Sequence, residues 1–303
     1  MQTKGASGMF ELRRLRLLHE LAQRGTIGEV AAALSYSPST VSQQLALLEK
    51  EAGVALLEPD GRRLRLTDAG RVLSAHAARA LELDEAARNE LAAAPRAHRV
   101  RIAVMPTAAE ALVPRALTLL AERMPGLRVE MCEMSPEDAL FELAARAFDL
   151  VVAEQYPGHT RELRDGVDRT LLGRDPIRLG LPAADPAQGL ADLRDRAWIL
   201  EPNGTAVRQW ALQQCRAAGF EPDVRYEATD LVAQVRLVAA GHAVAMLPDL
   251  VWSGEREGVR LVDLPGTPTR EIFAATRTAS RDSEAIAAVR TALADALAAH
   301  RPR

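Results

Sequence analysis

The polar side chains with the clearest potential chemistry follow the dipeptide Ser37-Pro38. Ser37 has the short hydroxyl side chain that suits an N-cap, and Pro38 suits the first helical position. A helix is therefore predicted from here to about Glu51, stopped by Gly53. Apolar residues at i, i+4 and i+7 form its buried side: Val41, Leu45 and Leu48. The opposite side carries short, uncharged side chains of the kind that contact base edges in a DNA major groove: Ser39, Ser42, Gln43 and Ala46.

Two interpretations of this polar face are open: contact with DNA bases and plain exposure to solvent. A solvent-exposed helix in a chain this rich in arginine and alanine is expected to carry Glu and Arg on that side, and these positions carry neither. The residues of this helix predicted to contact DNA are Ser37, Pro38, Ser39, Thr40, Ser42 and Gln43.

A basic hairpin is predicted directly after this helix. Asp60-Gly61 is a hairpin turn signal, and the strand that follows alternates leucine with arginine at residues 63–66. Three helices followed by a basic hairpin make a winged helix-turn-helix, with Arg62 and Arg63 at the wing tip, placed to meet phosphates. The alternative is an arginine-rich surface hairpin without a DNA role.

The elements that position this unit are also predicted from spacing. A first helix with apolar positions at Leu15, Leu18 and Ala22 ends at Gly25, and a short second helix follows around Ile27–Leu34. Thr67 can cap a long helix that runs to about Ala94. Residues at 4-3-7-4 spacing form a heptad-like seam on it, with Asp84 at the missing position: Leu73, Ala77, Ala80, Ala87 and Leu91. We predict that this seam forms a dimer, and packing against the chain's own domains is the alternative.

From Arg99 onward, strands and helices alternate, which predicts an α/β fold with parallel strands; one helix is expected over residues 110–123. Ligands of such folds bind beyond the carboxyl ends of strands. The residues expected there are Pro106, Thr107, Ala108 and Ser135 from one block, and Pro202, Asn203, Gly204 and Thr205 from the next. Hydroxyls and amides at helix N-termini favour an anionic or carboxylate-bearing effector. The alternative is that Ser135 and Thr205 only cap their own helices.

Length, charge and apolar runs bound the number of domains, the way in which DNA could be bound and any association with a membrane. The 303 residues suit about two domains. The net charge is −3, with +2 in the first 75 residues, so DNA contact must come from the placement of charges. The sequence has no apolar run of transmembrane length and no apolar signal region, which predicts a cytoplasmic protein without a membrane partner.

Enzymatic and metal-binding patterns are missing from the sequence. Nucleophile-elbow, zinc-protease, dinucleotide and P-loop motifs are absent, and the six histidines are scattered. We therefore expect no catalytic residue, metal or cofactor, with an enzyme fused to a DNA-binding domain as the rival. Cys132 and Cys215 are expected to be buried and inert, with a cysteine redox sensor as the alternative.

The sequence resembles the LysR-type transcriptional regulators. Three N-terminal segments carry this resemblance: TIGEVAAAL (26–34), SPSTVSQQLALLE (37–49) and LRLTDAG (64–70), with Gly53. The C-terminal match is looser: MPG (124–126), FDLVV (148–152) and GHAVAMLP (241–248). Two departures matter. Leu57-Glu58-Pro59 replaces the family's Phe-x-Arg, which leaves more of the backbone contact to Arg62 and Arg63. Gln43 stands where arginine is frequent, which favours adenine over guanine.

The resemblance implies a fold, partners and a function. The expected fold is α/β, with an N-terminal winged helix-turn-helix, a long linker helix and a two-lobed effector module similar to periplasmic binding proteins. The expected partners are double-stranded promoter DNA, a small-molecule effector between the lobes, further copies of the chain as dimer and tetramer, and RNA polymerase. A regulator that needs no ligand is an alternative.

The expected organisation has four parts. Residues 1–8 are a disordered extension, 9–67 the DNA-binding domain, 68–95 the linker helix and 96–303 the effector module. Within the module, one lobe is expected to span about 98–174 and 271–303, and the other about 175–270.

Overall fold

The structure is a computed structural model that describes residues 9–34, 36–60, 63–91, 99–159, 166–253 and 258–300. The predicted disordered extension, residues 1–8, and the predicted wing-tip residue Arg62 lie outside this range. The chain divides into two compact units, Met1–Arg96 and Ala97–Arg303. Within the described residues, no helix is both long enough and apolar enough to span a membrane.

The first unit has the predicted succession of three helices, a hairpin and a long helix. Its described elements are α1 (Leu12–Arg24), α2 (Ile27–Leu34), α3 (Pro38–Ala52), β1 (Leu57–Asp60), β2 (Arg63–Leu66) and α4 (Asp68–Leu91). The predicted stop residues are confirmed, because Gly25 and Gly53 adopt φ values of 83° and 69° and cap α1 and α3. The predicted apolar stripe of α3 is fully buried against α1 and α2.

The start of α4 is tied to the hairpin by close contacts. Thr67 caps the helix by accepting a hydrogen bond from the Gly70 N–H at 3.0 Å, and its hydroxyl donates to the carbonyl of Ala55 at 2.8 Å. A side chain at Gly70 would drive its Cβ into the Leu56 carbonyl oxygen, so only glycine permits this approach. The predicted cap at Thr67 is therefore confirmed, and it also fixes the base of the hairpin.

The prediction for the seam of α4 is wrong in its first half. Leu73, Ala77 and Ala80 pack into the core of their own unit, with Ala77 fully buried. In this half of the helix, the structure therefore agrees with the alternative interpretation, in which α4 packs against its own domain. In the second half of the seam, Ala87 is exposed, and the side chain of Leu91 lies outside the described residues. The exposed side beside the first half is a different one, rotated around the helix axis.

The second unit is a mixed α/β structure, as predicted. Its described strands are β3 (Arg99–Val104), β4 (Arg128–Glu133), β5 (Leu150–Gln155), β6 (Val167–Pro182), β7 (Ala197–Leu200), β8 (Asp223–Glu227), β9 (Ala245–Pro248), β10 (Val259–Asp263) and β11 (Thr269–Arg277). Its described α-helices are α5 (Pro106–Ala111), α6 (Val113–Arg123), α7 (Pro136–Ala144), α8 (Ala206–Ala217), α9 (Leu231–Ala239) and α10 (Glu284–Ala298).

Two lobes share one long strand. In lobe I, β4, β3 and β5 are parallel, and β11 and the first part of β6 continue the sheet antiparallel. The second part of β6 pairs with β9 and β10 in lobe II, where β7 and β8 form a parallel pair. Both sets of pairings belong to one 16-residue strand, so β6 runs through both lobes.

The helix predicted over residues 110–123 is two helices. α5 begins at Pro106, directly after β3, and α6 begins at Val113, with Leu112 as the residue between them. Pro114 stands in the first turn of α6, where its missing N–H is tolerated. The consequence for the site is that Thr107 and Ala108 lie inside a helix rather than in a loop.

Candidate functional site

The polar residues of α3 that were predicted to contact DNA lie together on the surface of the first unit. Ser37 caps the helix by accepting from the Thr40 N–H at 3.1 Å, and its hydroxyl lies 2.9 Å from that of Ser39. Pro38 takes the first helical position, as predicted. Most of the face is exposed and uncharged, and Thr40 is half-buried: Ser39, Ser42, Gln43 and Ala46 are its exposed members.

Lys50 extends this face and was missed by the sequence reasoning. It is exposed and lies seven residues after Gln43, which places both on the same side of α3. The heptad spacing from Gln43 is the signal that could have found it. A lysine there adds a positive charge to an otherwise uncharged surface.

Glu49 is a second residue that sequence reasoning missed, and it positions the hairpin. Its Oε1 accepts hydrogen bonds from the backbone N–H groups of Leu56 and Leu57, at 2.8 Å and 3.0 Å. The carboxylate therefore holds the entrance of β1 against the last turn of α3.

The wing is a regular hairpin whose basic face is partly neutralised. β1 and β2 pair Glu58 with Arg65, and their side chains form an ion pair at 2.6 Å. Arg63 lies opposite Asp60 at the tip, and its side chain, like Arg62, is outside the described part of the structure. The predicted phosphate contacts of Arg62 and Arg63 stay predictions.

The open side of α4 has a heptad-like spacing of its own. Val72 and Leu83 are 61% and 73% exposed, and His76, Arg79 and Ala87 are exposed on the same side. Val72 and Leu83 are the large apolar side chains on this side of the helix that have no packing partner in the first unit's core. We call these five residues the outer face of α4.

Thr107 is buried in lobe I and already has a partner. Its hydroxyl accepts a hydrogen bond from Nη2 of Arg270 at 2.8 Å, and Thr107 itself is 2% exposed. Arg270 in turn pairs with Asp175. Pro106 is half-buried and Ala108 fully buried at the start of α5. The hydroxyl predicted to meet the effector is thus engaged inside the protein.

Ser135 and Thr205 act as caps of their own helices. Ser135 accepts from the Asp138 N–H at 3.2 Å and donates to the Asp138 carboxylate at 2.7 Å. Thr205 accepts from the Arg208 N–H at 3.4 Å and donates to the Pro202 carbonyl at 3.1 Å. Any contact of these hydroxyls with an effector stays a prediction.

The turn before α8 is the most open of the predicted effector segments. Asn203 and Gly204 are exposed, and Pro202 is half-buried. Gly204 adopts φ 95°, a left-handed conformation that side chains rarely tolerate. These residues lie beyond the carboxyl end of β7, where the prediction placed them.

Two glutamates that follow β3 and β7 in the chain have a raised pKa. The pKa of Glu201, the residue after β7, is raised to about 7, mainly by burial and further by the charge of Glu154. The pKa of Glu110 on α5 is also raised, by burial first and then by repulsion from Asp230 and Glu133. Sequence reasoning did not name these acids, because it looked for donors rather than charges.

One of the two cysteine predictions is wrong. Cys132 is exposed, because β4 pairs only with β3 and forms the edge of its sheet. Cys215 is buried as predicted, and burial raises the pKa of its thiol to about 12. Over the described ranges, no three His, Cys, Asp or Glu side chains are grouped as metal ligands would be.

Two family models match the chain. The model of the LysR substrate binding domain matches residues 93–298, and that of the bacterial regulatory helix-turn-helix protein, lysR family, matches residues 12–71.

Curated relatives are similar over most of their length. The transcriptional dual regulator GltC of Bacillus subtilis (strain 168) is 30% identical over 80% of this chain and 82% of its own. A probable hydrogen peroxide-inducible genes activator of Mycobacterium avium is 30% identical over 82% of this chain and 80% of its own. The DNA-binding transcriptional dual regulator OxyR of Escherichia coli (strain K12) is 28% identical over 84% of each chain.

Solved structures share the fold. A full-length OxyR variant from Pseudomonas aeruginosa superimposes with a TM-score of 0.69 at 22% identity, covering 94% of this chain and 95% of that one. Full-length CbnR complexed with its target DNA gives a TM-score of 0.52 at 22% identity, covering 94% of this chain and all of that one. At this level of identity, these two structures establish the architecture of the chain only.

Proposed function

Because this chain belongs to the LysR family of bacterial transcriptional regulators, we propose that it binds a specific operator with α3 and that a small molecule between its lobes controls the response. The exposed, uncharged polar face of α3 carries the proposal for DNA. A helix of this width fits the major groove, and hydroxyl and amide groups read base edges there.

Gln43 is the residue proposed to give the most sequence information. A glutamine amide can bond the N6 and N7 atoms of adenine with both of its ends, so an adenine is expected opposite it. Ser39 and Ser42 contact neighbouring base edges. Arg62, Arg63 and Lys50 contribute contacts with phosphates, which supply affinity and set the register on the duplex without reading the sequence.

The outer face of α4 is proposed to form the dimer. Val72 and Leu83 expose large apolar side chains to water. The same face of a second copy would bury them in a symmetric interface. Two winged helices joined in this way would contact two half-sites on one face of the DNA. Further association into a tetramer is consistent with the family.

The effector is proposed to act by shifting a population of conformations. β6 and the segment between β10 and β11 connect the lobes. Closure of the lobes on a ligand would therefore bend these two connections. A ligand that binds the closed form more tightly increases the population of that form. The change in population would alter the spacing between the two DNA-binding units of a dimer. The protein would act in the bacterial cytoplasm, where the DNA is, with no reaction of its own.

A cysteine redox response is the weaker candidate for the signal. The relative from Mycobacterium avium is named for induction by hydrogen peroxide, which is why the candidate is kept. In this chain Cys132 is exposed, but the thiol of Cys215, the other cysteine of the sequence, is buried, with its pKa raised to about 12. Such a thiol carries very little thiolate at neutral pH and reacts slowly. An unchanged DNA affinity after treatment with a reductant is the expected result.

A gel shift tests the proposal. The purified protein is mixed with DNA from the intergenic region upstream of its own gene, in the presence of excess random DNA. A discrete complex that survives the competitor supports a specific regulator. Equal competition by random and operator DNA would contradict it.

A further inference from the structure

A groove in the first unit lies between α1, the end of α2 and α4. Its volume is about 430 Å³, which is in the usual size range of small-molecule sites. Each helix contributes a leucine to its wall: Leu12 from α1, Leu34 from α2 and Leu81 from α4. Among the described residues, the lining includes none of those proposed to contact DNA or to form the dimer. The groove is therefore a separate feature with an apolar wall.

Two arginines of α1 give the groove a positive charge. Arg13 and Arg16 both line it, and Asp84 on α4 is the one carboxylate among the described lining residues. Nε of Arg16 lies 4.0 Å from Oε1 of Glu20, beyond hydrogen-bond distance, and Arg24 binds the other oxygen of Glu20 at 2.8 Å. Within the described residues, Nε of Arg16 is buried without a hydrogen-bond partner. A buried donor without an acceptor is unfavourable, so an acceptor that enters beside it is stabilised.

The second arginine, Arg13, stacks on an aromatic ring of the same groove. Its Cζ lies 4.7 Å from the centroid of the Tyr36 ring. No ion pair joins Arg13 to a carboxylate of the described residues. Stacking uses the face of a guanidinium and leaves the N–H groups in its plane able to bind a carboxylate through two hydrogen bonds. Arg13 can therefore bind an anion without losing its contact with the ring.

The groove borders the turn that leads into α3. Leu34 is the last residue of α2, and Tyr36 directly precedes Ser37, the N-cap of α3. The backbone N–H of Tyr36 donates to the carbonyl of Ala31 at 2.9 Å, which holds this turn against α2. A ligand in the groove would therefore contact the residue next to the cap of the helix proposed to contact DNA.

The groove and the outer face are on opposite sides of α4. Leu81 lines the groove and Leu83 belongs to the outer face, and a step of two residues is a rotation of about 200° around an α-helix. A dimer formed through the outer face does not use the side that carries Leu81. A small ligand rather than a second copy is therefore the expected occupant.

We propose that this groove binds a small organic anion with an apolar body, such as a short fatty acid or an arylalkanoic acid. Its carboxylate lies between the guanidinium groups of Arg13 and Arg16, and its hydrocarbon part lies against the leucines of the three helices. The arginines supply donors that no carboxylate of the described residues binds closely. The inference goes beyond the proposed function, because this ligand is additional to the effector of the inter-lobe cleft.

Titration calorimetry on the full-length protein tests the site with 3-phenylpropanoate and hexanoate. At least one of the two acids should bind, more weakly as salt increases. Acetate lacks the apolar body and 3-phenylpropanamide lacks the charge, so each should bind at least about tenfold more weakly. Arg13→Gln and Arg16→Gln should each weaken binding of the acid about tenfold, which corresponds to about 1.4 kcal/mol.

Two variants of α2 provide a matched comparison that leaves the arginines in place. Ala33 is exposed and lines the groove, so Ala33→Leu fills part of it and should weaken binding of the acid. Ala32 is also exposed but is not among the lining residues, so Ala32→Leu should bind the acid as the unaltered protein does.

Three results would each overturn the proposal. Neither acid might bind at all, which would leave the groove without the proposed ligand. Equal affinity of Arg16→Gln, Ala33→Leu and the unaltered protein would place the bound acid elsewhere. A smaller mass of Arg16→Gln than of the unaltered protein in sedimentation equilibrium would show that a second copy fills the groove.

Discussion

Arg270 and Asp175 form a buried ion pair between the two antiparallel strands β11 and β6, with Nε and Oδ2 2.9 Å apart. Their side chains are 3% and 2% exposed. The guanidinium also reaches Thr107, and the other oxygen of Asp175 accepts the backbone N–H of Leu250 at 3.1 Å. This pair therefore joins both long strands to α5 and to the segment after β9.

Replacing Arg270 by methionine should destabilise the second unit strongly. The change leaves the Asp175 carboxylate buried without its counter-charge, which costs about 3–5 kcal/mol. Urea unfolding followed by tryptophan fluorescence reports on this unit, because all three tryptophans lie in it. The double variant Arg270→Met/Asp175→Leu should regain much of the stability. A single variant as stable as the double one would contradict this account.

Replacing Glu49 by alanine should loosen the wing. The backbone N–H groups of Leu56 and Leu57 would lose a charged acceptor, at about 1.5–3 kcal/mol for a hydrogen bond to a charged group. Both the unfolding free energy of the first unit and operator affinity should fall. Glu49→Gln retains an amide oxygen and serves as the control, with an intermediate effect expected. If Glu49→Ala bound operator DNA normally, the wing would not depend on this contact.

Replacing Gln43 by alanine should reduce discrimination rather than general affinity. Loss of a two-ended contact with adenine costs about 1–3 kcal/mol on the operator and nothing on random DNA. Fluorescence anisotropy with both DNAs measures the ratio.

Arg62→Ala provides the comparison for Gln43→Ala. It should weaken operator and random DNA alike and reduce the salt slope by about 1, since a phosphate contact releases counterions. An unchanged ratio for Gln43→Ala would mean that another face of α3 reads the bases.

Replacing Leu83 by glutamate should dissociate the dimer. Leu83 is 73% exposed in the single chain, so the substitution leaves the fold of the first unit intact and places a charge in the proposed interface. Sedimentation equilibrium should give a smaller mass than for the unaltered protein. Val54→Glu, at an exposed apolar residue outside α4, should not change the mass. Equal masses for both variants would place the interface elsewhere.

Replacing Glu201 by glutamine should change how stability depends on pH. The folded-state pKa of this acid is about 7, raised by burial and by Glu154, so the folded protein binds a proton that the unfolded chain releases near 4.5. Glu201 therefore reduces stability as pH rises from about 4.5 to about 7. The variant lacks this loss. Its free energy of unfolding should exceed that of the unaltered protein by up to about 3 kcal/mol at pH 8 and differ little from it at pH 4. Urea midpoints of both proteins at the two pH values test this, and parallel profiles would exclude a shifted pKa.

Short-range signals in the sequence were sufficient for the elements that depend on neighbouring residues. The cap at Ser37, the stop at Gly53 and the cap at Thr67 use contacts within a few residues, so residue type and spacing predict them. The alternation of strands and helices after Arg99 predicted the α/β class for the same reason.

Contacts between distant segments decided the rest. The 16-residue length of β6 depends on partners in three other strands, and the orientation of α4 depends on packing against the N-terminal helices. The exposure of Cys132 follows from the edge position of β4.

The sequence by itself therefore determined the family and the class of each unit, and it singled out α3 as the helix proposed to contact DNA. Only the tertiary structure decided which side of α4 is open, that Thr107 is held by Arg270, and that Glu154 and Glu201 lie close enough to repel. The physical reason is that burial and charge are properties of a neighbourhood, and these neighbours come from segments far apart in the chain.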